Sequence, residues 1–133
     1  MEYNKKINTR IAVPTLNPGG FDAVCSPHFG RCECFTLIDI EDGKPKDSIV
    51  AKNPPHGHGD CLSPVELLVS MSVKKLIVRG IGLRPRIGFK EAGIDIYLFQ
   101  REGTAKDAAE AFINGELPLL PDDFSCFNKG IGH

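Results

Sequence analysis

The sequence lacks long apolar runs, an excess of charge of one sign and the segments that direct a chain to a membrane. No run approaches the roughly 20 apolar residues that a membrane-spanning helix needs. The opening residues, M-E-Y-N-K-K-I-N-T-R, lack the apolar core of a signal peptide. Because 16 basic and 17 acidic residues give a net charge of -1, bulk charge recruits neither nucleic acid nor an anionic membrane. We therefore expect a cytoplasmic protein without a nucleic-acid or membrane partner.

Cysteine is present, but not in a pattern that implies a disulfide framework. The five cysteines are an odd number, and in a reducing compartment they leave metal binding, redox chemistry or burial as roles. The C-x-x-C spacing of thioredoxin motifs is missing. Adjacent thiols with low pKa values can still exchange disulfides, so a thiol redox protein using Cys32 and Cys34 is one alternative. A structural zinc site closed by four ligands is another.

Soft metal ligands are concentrated in the segment 25–34, which reads C-S-P-H-F-G-R-C-E-C. Thiolate sulfur and neutral imidazole suit iron-sulfur units, copper and zinc rather than magnesium or calcium. Pro27 and Gly30 predict a loop that displays His28 and Phe29 at a bend. Taken singly, a cysteine is more often a small buried hydrophobe and a histidine a hydrogen-bonded structural residue, but the cluster as a whole favours metal binding. The candidate metal ligands here are Cys25, His28, Cys32 and Cys34.

A second loop with soft ligands covers residues 53–61 and reads N-P-P-H-G-H-G-D-C. Its two prolines and two glycines preclude regular structure. Its H-x-H-x-x-C spacing matches no standard zinc finger, so a surface loop without a ligand role is an equally good interpretation. The candidate ligands in this loop are His56, His58 and Cys61. We expect the two loops to meet at one end of the sheet.

Local patterns predict five strands and three helices. Short apolar runs favour strands, and E-D-G-K predicts a hairpin turn. Ser or Thr followed by apolar residues at helical spacing predicts helix starts at Ser63 and Thr104, and a third helix is expected from about Arg84. The predicted strands cover residues 11–13, 35–41, 48–52, 75–80 and 94–99. Together these elements predict an α/β three-layer domain with a five-stranded mixed sheet flanked by helices.

A G-x-G turn, Gly80–Gly82, follows a predicted strand and precedes a predicted helix. Backbone amides in such a turn face any anion that approaches the helix start. Pro85 occupies the position of the third glycine in a dinucleotide fingerprint, so that motif is excluded. Arg79, Arg84 and Arg86 add positive charge, although surface arginines are usually only solvated. We interpret the turn as an anion-facing wall.

Seven motifs follow one another in a characteristic order over residues 10–117. They are I-A-V-P, H-F-G, F-T-L-I-D-I, the N-P-P loop with H-G-x-C, V-R-G-I-G, G-I-D-I-Y and A-A-E-A-F-I-N-G-E-L. In this order they resemble the dinitrogenase iron-molybdenum cofactor biosynthesis family, which includes molybdenum-copper orange proteins. The resemblance implies a ribonuclease H-like fold. It also implies a non-enzymatic accessory role in binding or carrying a metal-sulfur cluster that contains iron, molybdenum or copper.

The resemblance also assigns residues and partners. It implies that His28 of H-F-G is the principal cluster-binding residue, beside Phe29 and Gly30, and that Gly80, Ile81 and Gly82 line the same end of the sheet. Proteins that donate and accept the cluster are the implied partners. Residues 10–117 would form the cluster-binding domain and residues 118–133 a C-terminal tail.

The implied fold raises a nuclease as a further alternative. Two-metal phosphodiester chemistry needs several carboxylates that converge on the sheet. The first strand, I-A-V-P, supplies none. We therefore expect a protein that is not an enzyme.

Overall fold

A computed structural model describes residues 7–53 and 63–120. Within these ranges, five strands form one sheet in the order β3-β2-β1-β4-β5. The sheet is mixed because β1 pairs antiparallel with β2 and parallel with β4. The strands are β1 (Thr9–Thr15), β2 (Cys34–Glu41), β3 (Lys44–Lys52), β4 (Lys75–Val78) and β5 (Asp95–Leu98), and the helices are α1 (Pro64–Ser70), α2 (Leu83–Glu91) and α3 (Ala105–Ile113).

The first strand continues through Pro14, although the sequence predicts that it stops there. The Pro14 carbonyl accepts a hydrogen bond from the Ser26 N–H over 2.9 Å. Since the N and O atoms of one strand residue point to the same side, the missing N–H of Pro14 faces away from β2 and removes no bond from that pairing. The hairpin between β2 and β3 is confirmed, with positive φ at Asp42 and Gly43 as a two-residue turn requires.

Two hydrophobic cores lie on opposite faces of the sheet. On one face, Phe35 and Leu37 of β2 pack with residues of α1 and α2 such as Leu68 and Phe89. On the other face, alternate strand residues pack against α3. The alanines of α3 that the sequence assigns to the core are buried there: Ala105, Ala108 and Ala109. This is the predicted α/β three-layer architecture, and it is compatible with a ribonuclease H-like fold.

Two of the helices begin where their capping residues predict. The Ser63 hydroxyl accepts the Glu66 N–H, and the Glu66 carboxylate accepts the Ser63 N–H, each over 3.1 Å. Thr104 and Asp107 form the same reciprocal pair at the start of α3. Each of the helices α2 and α3 begins a short loop after the carboxyl end of the strand before it, β4 or β5. Because β4 and β5 are parallel, both helix N-termini lie at one end of the sheet.

The last described residues run along the outer edge of β5. The Leu98 N–H donates to the Pro118 carbonyl over 3.0 Å, and the Leu120 N–H donates to the Ile96 carbonyl over 2.7 Å. The side chain of Leu120 packs against the core beneath α1 and α2. The division into a domain and a tail at residue 117 stays a prediction, and it falls just before this pairing. None of the described helices is long and apolar enough to cross a bilayer.

Candidate functional site

The H-F-G loop and the G-x-G turn are in direct contact at the carboxyl ends of β1 and β4. Cys25 forms an isolated bridge with Thr15, which directs the following residues across the end of the sheet. The Phe29 N–H then donates to the Gly80 carbonyl over 3.1 Å. A Cβ atom on Gly80 would lie 3.2 Å from the Pro27 carbonyl oxygen, so the two backbones pack closely. Gly80 is thus suited to a position where a side chain would push the loops apart.

Phe29 anchors this loop while the neighbouring imidazole is left outside. The Phe29 side chain is 3% exposed. Its ring centroid lies 5.4 Å from those of Phe35 and Phe89. His28, at the start of the 3₁₀ helix Phe29–Arg31, is exposed and makes no capping hydrogen bond with its side chain. The sequence therefore predicts the display of His28 correctly, whereas the predicted display of Phe29 at the same bend is wrong because its ring packs in the core.

The backbone of His28 is held although its side chain is not. The buried Ser26 hydroxyl donates to the His28 carbonyl over 3.1 Å and accepts from the His28 N–H over 3.4 Å. Two residues later, a Cβ atom added to Gly30 would meet no atom of the described residues within 4 Å. The result is an exposed imidazole on a fixed backbone.

The three described cysteines of the first loop are all buried. Cys25 belongs to the core beside α3, whereas Cys32 belongs to the core beside α1 and α2. Their exposed fractions are 2% and 4%, and that of Cys34 is 0%. Alignment of Cys32 and Cys34 on one face would require a strand that begins by residue 32, but β2 begins at Cys34. The structure therefore does not gather these thiols around His28.

Burial also makes two of these thiols hard to ionise. It raises the pKa of Cys25 to about 11, with the nearby Arg79 charge acting in the opposite direction. It raises the pKa of Cys32 to about 12, and the Asn53 amide opposes this rise. Because the thiolate is both the nucleophile and the metal ligand, burial disfavours the reactive form of these two side chains.

Cys34 takes part in a buried polar network that the sequence does not reveal. Its sulfur lies 3.3 Å from the Thr15 hydroxyl, which lies 2.9 Å from the Thr36 hydroxyl. The Thr36 hydroxyl in turn accepts the Gly20 N–H over 3.0 Å. The network ties the turn after β1 to the face of the sheet, so Cys34 has a structural role in the fold.

Asn53 places the start of the second loop beside the first. Its side-chain amide donates to the Cys32 carbonyl over 2.9 Å and lies 3.6 Å from the Cys32 sulfur. The remaining candidates of that loop, His56, His58 and Cys61, lie outside the described residues, so their approach to the first loop stays a prediction. Within residues 7–53 and 63–120, no three His, Cys, Asp or Glu side chains are grouped to hold a metal ion.

The arginines near the G-x-G turn are not equivalent. Arg84 is exposed and Arg79 is half-buried, whereas Arg86 is only 3% exposed on the inner side of α2. Interpretation of Arg86 as a solvated surface residue is therefore wrong. Its position three residues before the buried Phe89 is the signal that it shares the inward face of the helix.

The fold and these loops define a small three-layer α/β protein that displays His28 at the carboxyl ends of β1 and β4. A family model described as dinitrogenase iron-molybdenum cofactor matches residues 9–115. The chain belongs to this family, as its motifs indicate.

The chain is also similar to other proteins in sequence and in fold. An uncharacterized protein of Methanocaldococcus jannaschii, MJ0580, is 34% identical over 94 residues, which cover 69% of this chain and 79% of the relative. The NMR structure of a putative NifB protein from Thermotoga, TM1290, is 32% identical with a TM-score of 0.66, covering 82% of this chain and 90% of that one. The apo orange protein from Desulfovibrio gigas, at 24% identity, shares the fold with a TM-score of 0.71, covering 84% of this chain and 92% of that one.

Proposed function

We propose that this protein binds a preformed metal-sulfur cluster, containing iron, molybdenum or copper, and carries it during cofactor assembly. The cluster is cargo, taken from a donor protein and released to an acceptor protein, and the carrier itself catalyses no reaction. Membership in the dinitrogenase iron-molybdenum cofactor family supports this class of role.

The observation that carries the proposal is the display of His28 beside the Gly80–Gly82 turn. The imidazole is exposed on a backbone fixed by Ser26, and the adjacent Phe29 ring is buried in the core. A neutral imidazole nitrogen is a ligand for iron, copper and zinc, and an imidazole N–H can donate to a cluster sulfide. An exposed side chain on a preorganised backbone has the properties expected of such a contact.

The chemistry of the described donors fits cargo that brings its own sulfide ligands. A site built by thiolate ligation would have to use Cys25 or Cys32, which are 2% and 4% exposed and lie in opposite cores. A complete cluster needs no such ligands from the chain, since its metals already carry sulfur. We therefore assign His28, Phe29, Gly30 and the Gly80–Gly82 turn to the cargo site, with His56, His58 and Cys61 as proposed additional ligands.

The same observations weaken the thiol redox alternative. Disulfide exchange requires an accessible thiolate. Cys32 and Cys34 are 4% and 0% exposed, so neither thiol is accessible to a disulfide partner in this fold. A zinc site that uses the second loop is the remaining alternative, and metal analysis separates it from a cluster carrier.

The test is anaerobic reconstitution of the full chain and of His28→Ala with iron, molybdenum and sulfide, followed by absorbance and elemental analysis. The wild-type chain should acquire metal with sulfide charge-transfer bands, and His28→Ala should lose most of that metal while its circular dichroism is unchanged. Lys46→Ala, on the exposed face of β3, is the control for substitution without a site effect. Colourless zinc, or full metal occupancy in a folded His28→Ala protein, would contradict the proposal.

A further inference from the structure

A cleft of about 220 Å³ opens between the carboxyl end of β5 and the chain that follows α3. Residues 98–101, which end β5 and begin the next loop, line one side of it. Ala111 of α3 and residues 116–118 line the other side. Among the described residues, neither the loop that displays His28 nor the Gly80–Gly82 turn contributes to the lining. The cleft is therefore separate from the cargo site.

The buried part of the lining is apolar. Phe99 and Ala111 are 2% and 4% exposed, and the half-buried Leu98 and Leu117 extend this surface. A Cβ atom added to Gly103 would lie 3.0 Å from the Phe99 ring, so the loop backbone packs closely against the ring. An apolar group that enters the cleft would leave water for this surface and gain affinity from the transfer.

Two exposed side chains of opposite charge complete the lining. Arg101 belongs to the side formed by the end of β5, and Glu116 belongs to the opposite side. The Arg101 Cζ lies 4.5 Å from the centroid of the Phe99 ring, a cation–π contact that holds the guanidinium against the apolar surface. Neither Arg101 nor Glu116 forms an ion pair with another described residue. Both charges can therefore be used by a ligand.

Asp107 is the described carboxylate that could compete for Arg101. Its pKa is lowered mainly by the bond from the Thr104 N–H, over 3.0 Å, and to a smaller extent by the Arg101 charge. Asp107 is thus engaged in capping α3. A guanidinium has five N–H donors, so Arg101 keeps donors for a carboxylate that enters the cleft.

The size and chemistry of the cleft together define its ligand. Pockets for drug-sized molecules and cofactors span about 300–1,000 Å³, so a cleft of about 220 Å³ suits a smaller molecule. The planar guanidinium fork of Arg101 matches a carboxylate. The Glu116 carboxylate matches an ammonium group, and the Phe99 and Ala111 surface matches an apolar chain. A ligand that satisfies all three contacts is a small zwitterion with an apolar substituent.

We propose that this cleft binds a free α-amino acid with an apolar side chain. Its carboxylate would pair with Arg101, its ammonium group with Glu116 and its side chain with Phe99 and Ala111. An α-amino acid carries these three groups on one carbon atom, which suits a cleft whose two charges face each other across a narrow apolar surface. The inference is independent of the proposed cargo function, because it concerns a different part of the molecule.

The experiment titrates the full chain with L-leucine by isothermal calorimetry, and with two analogues that each carry one charge. Isocaproate keeps the carboxylate and the apolar chain but lacks the ammonium group. Isoamylamine keeps the ammonium group and the apolar chain but lacks the carboxylate. Each analogue should bind at least about tenfold more weakly than leucine, because each loses one charge-assisted hydrogen-bonded contact.

Substitutions should match the analogues group by group. Arg101→Gln should raise the Kd for leucine about tenfold and leave the Kd for isoamylamine within about twofold, since isoamylamine has no carboxylate to lose a partner. Glu116→Gln should likewise weaken leucine but not isocaproate. Arg101→Lys should keep part of the affinity, because it retains the charge without the planar fork. Lys106→Gln and Glu110→Gln, at exposed positions of α3 outside the lining, are the charge-matched controls and should change neither Kd.

Several results would overturn the inference. They are the absence of leucine binding at up to about 10 mM, equal affinity for leucine and either analogue, and unchanged leucine affinity in folded Arg101→Gln and Glu116→Gln proteins. A leucine-containing dipeptide that binds more tightly than leucine would show that the ligand is a peptide and not a free amino acid. None of these results affects the cargo proposal, whose test measures metal and sulfide bound through His28.

Discussion

Phe29 is the residue whose removal most directly tests how the candidate site is held in place. Its ring is 3% exposed and lies between the rings of Phe35 and Phe89, in a tilted and an edge-on contact respectively. Truncation of a buried Phe to Ala costs about 3–5 kcal/mol, which includes the cavity left behind. Small domains have only about 5–15 kcal/mol of stability, so Phe29→Ala should be close to the limit of folding.

The assay is urea denaturation followed by circular dichroism, with Phe29→Leu as a milder variant and Phe112→Ala as the control. Phe112 stacks edge-on with Tyr97 in the opposite core but is only partly buried, so its truncation should cost less. We expect a loss of about 3 kcal/mol or more for Phe29→Ala. A loss below about 1 kcal/mol would refute the view that this ring anchors the loop, since it would equal the effect of an average substitution.

Two further predictions concern the loop contact and the buried thiols. Gly80→Ala should destabilise the fold by about 1–3 kcal/mol and weaken cargo binding, because its Cβ would lie 3.2 Å from the Pro27 oxygen. Gly82→Ala, whose Cβ would meet its nearest atom at 4.0 Å, is the matched control, and equal urea midpoints for the two variants would contradict the close contact. Burial raises the pKa of the Cys25 and Cys32 thiols from 9.0 to about 11 and about 12, so the native state keeps protons that the unfolded chain loses. Their stabilisation is complete below about pH 9, and the free energy of unfolding should fall by about 1.4 kcal/mol per pH unit per thiol from there to about pH 11 for Cys25 and about pH 12 for Cys32. Cys32→Ala should reduce that slope, and an unchanged slope would mean that Cys32 is not the titrating group.

Features of the fold that depend on neighbouring residues could be predicted from the sequence. Ser63 and Thr104 cap helices through contacts with residues three positions away, so both helix starts follow from local chemistry. The Asp42–Gly43 turn is specified in the same way. The continuation of β1 through Pro14 could not be predicted, because it depends on which side of the strand lacks a β partner and on the Ser26 bond from a distant part of the chain.

The candidate site likewise has features that the sequence predicts and features that it does not. The bend that exposes His28 follows from Pro27 and Gly30, and its approach to the G-x-G turn follows from the family pattern. Burial of Cys25 and Cys32 in opposite cores depends on the path of the loop across the end of the sheet. Sequence spacing alone does not show this separation, because residues that are close along the chain can still enter different faces of a sheet.

Backbone pairing by residues 118–120 closes part of the outer edge of β5. An open edge strand can recruit a strand from another molecule, and covering it removes that route to association. At the opposite edge, β3 carries exposed Lys44, Lys46 and Asp47, and such charges discourage a second strand from pairing there. Under the proposed function, a donor or acceptor protein would therefore meet this chain at the loops that display His28 and not at the edges of its sheet.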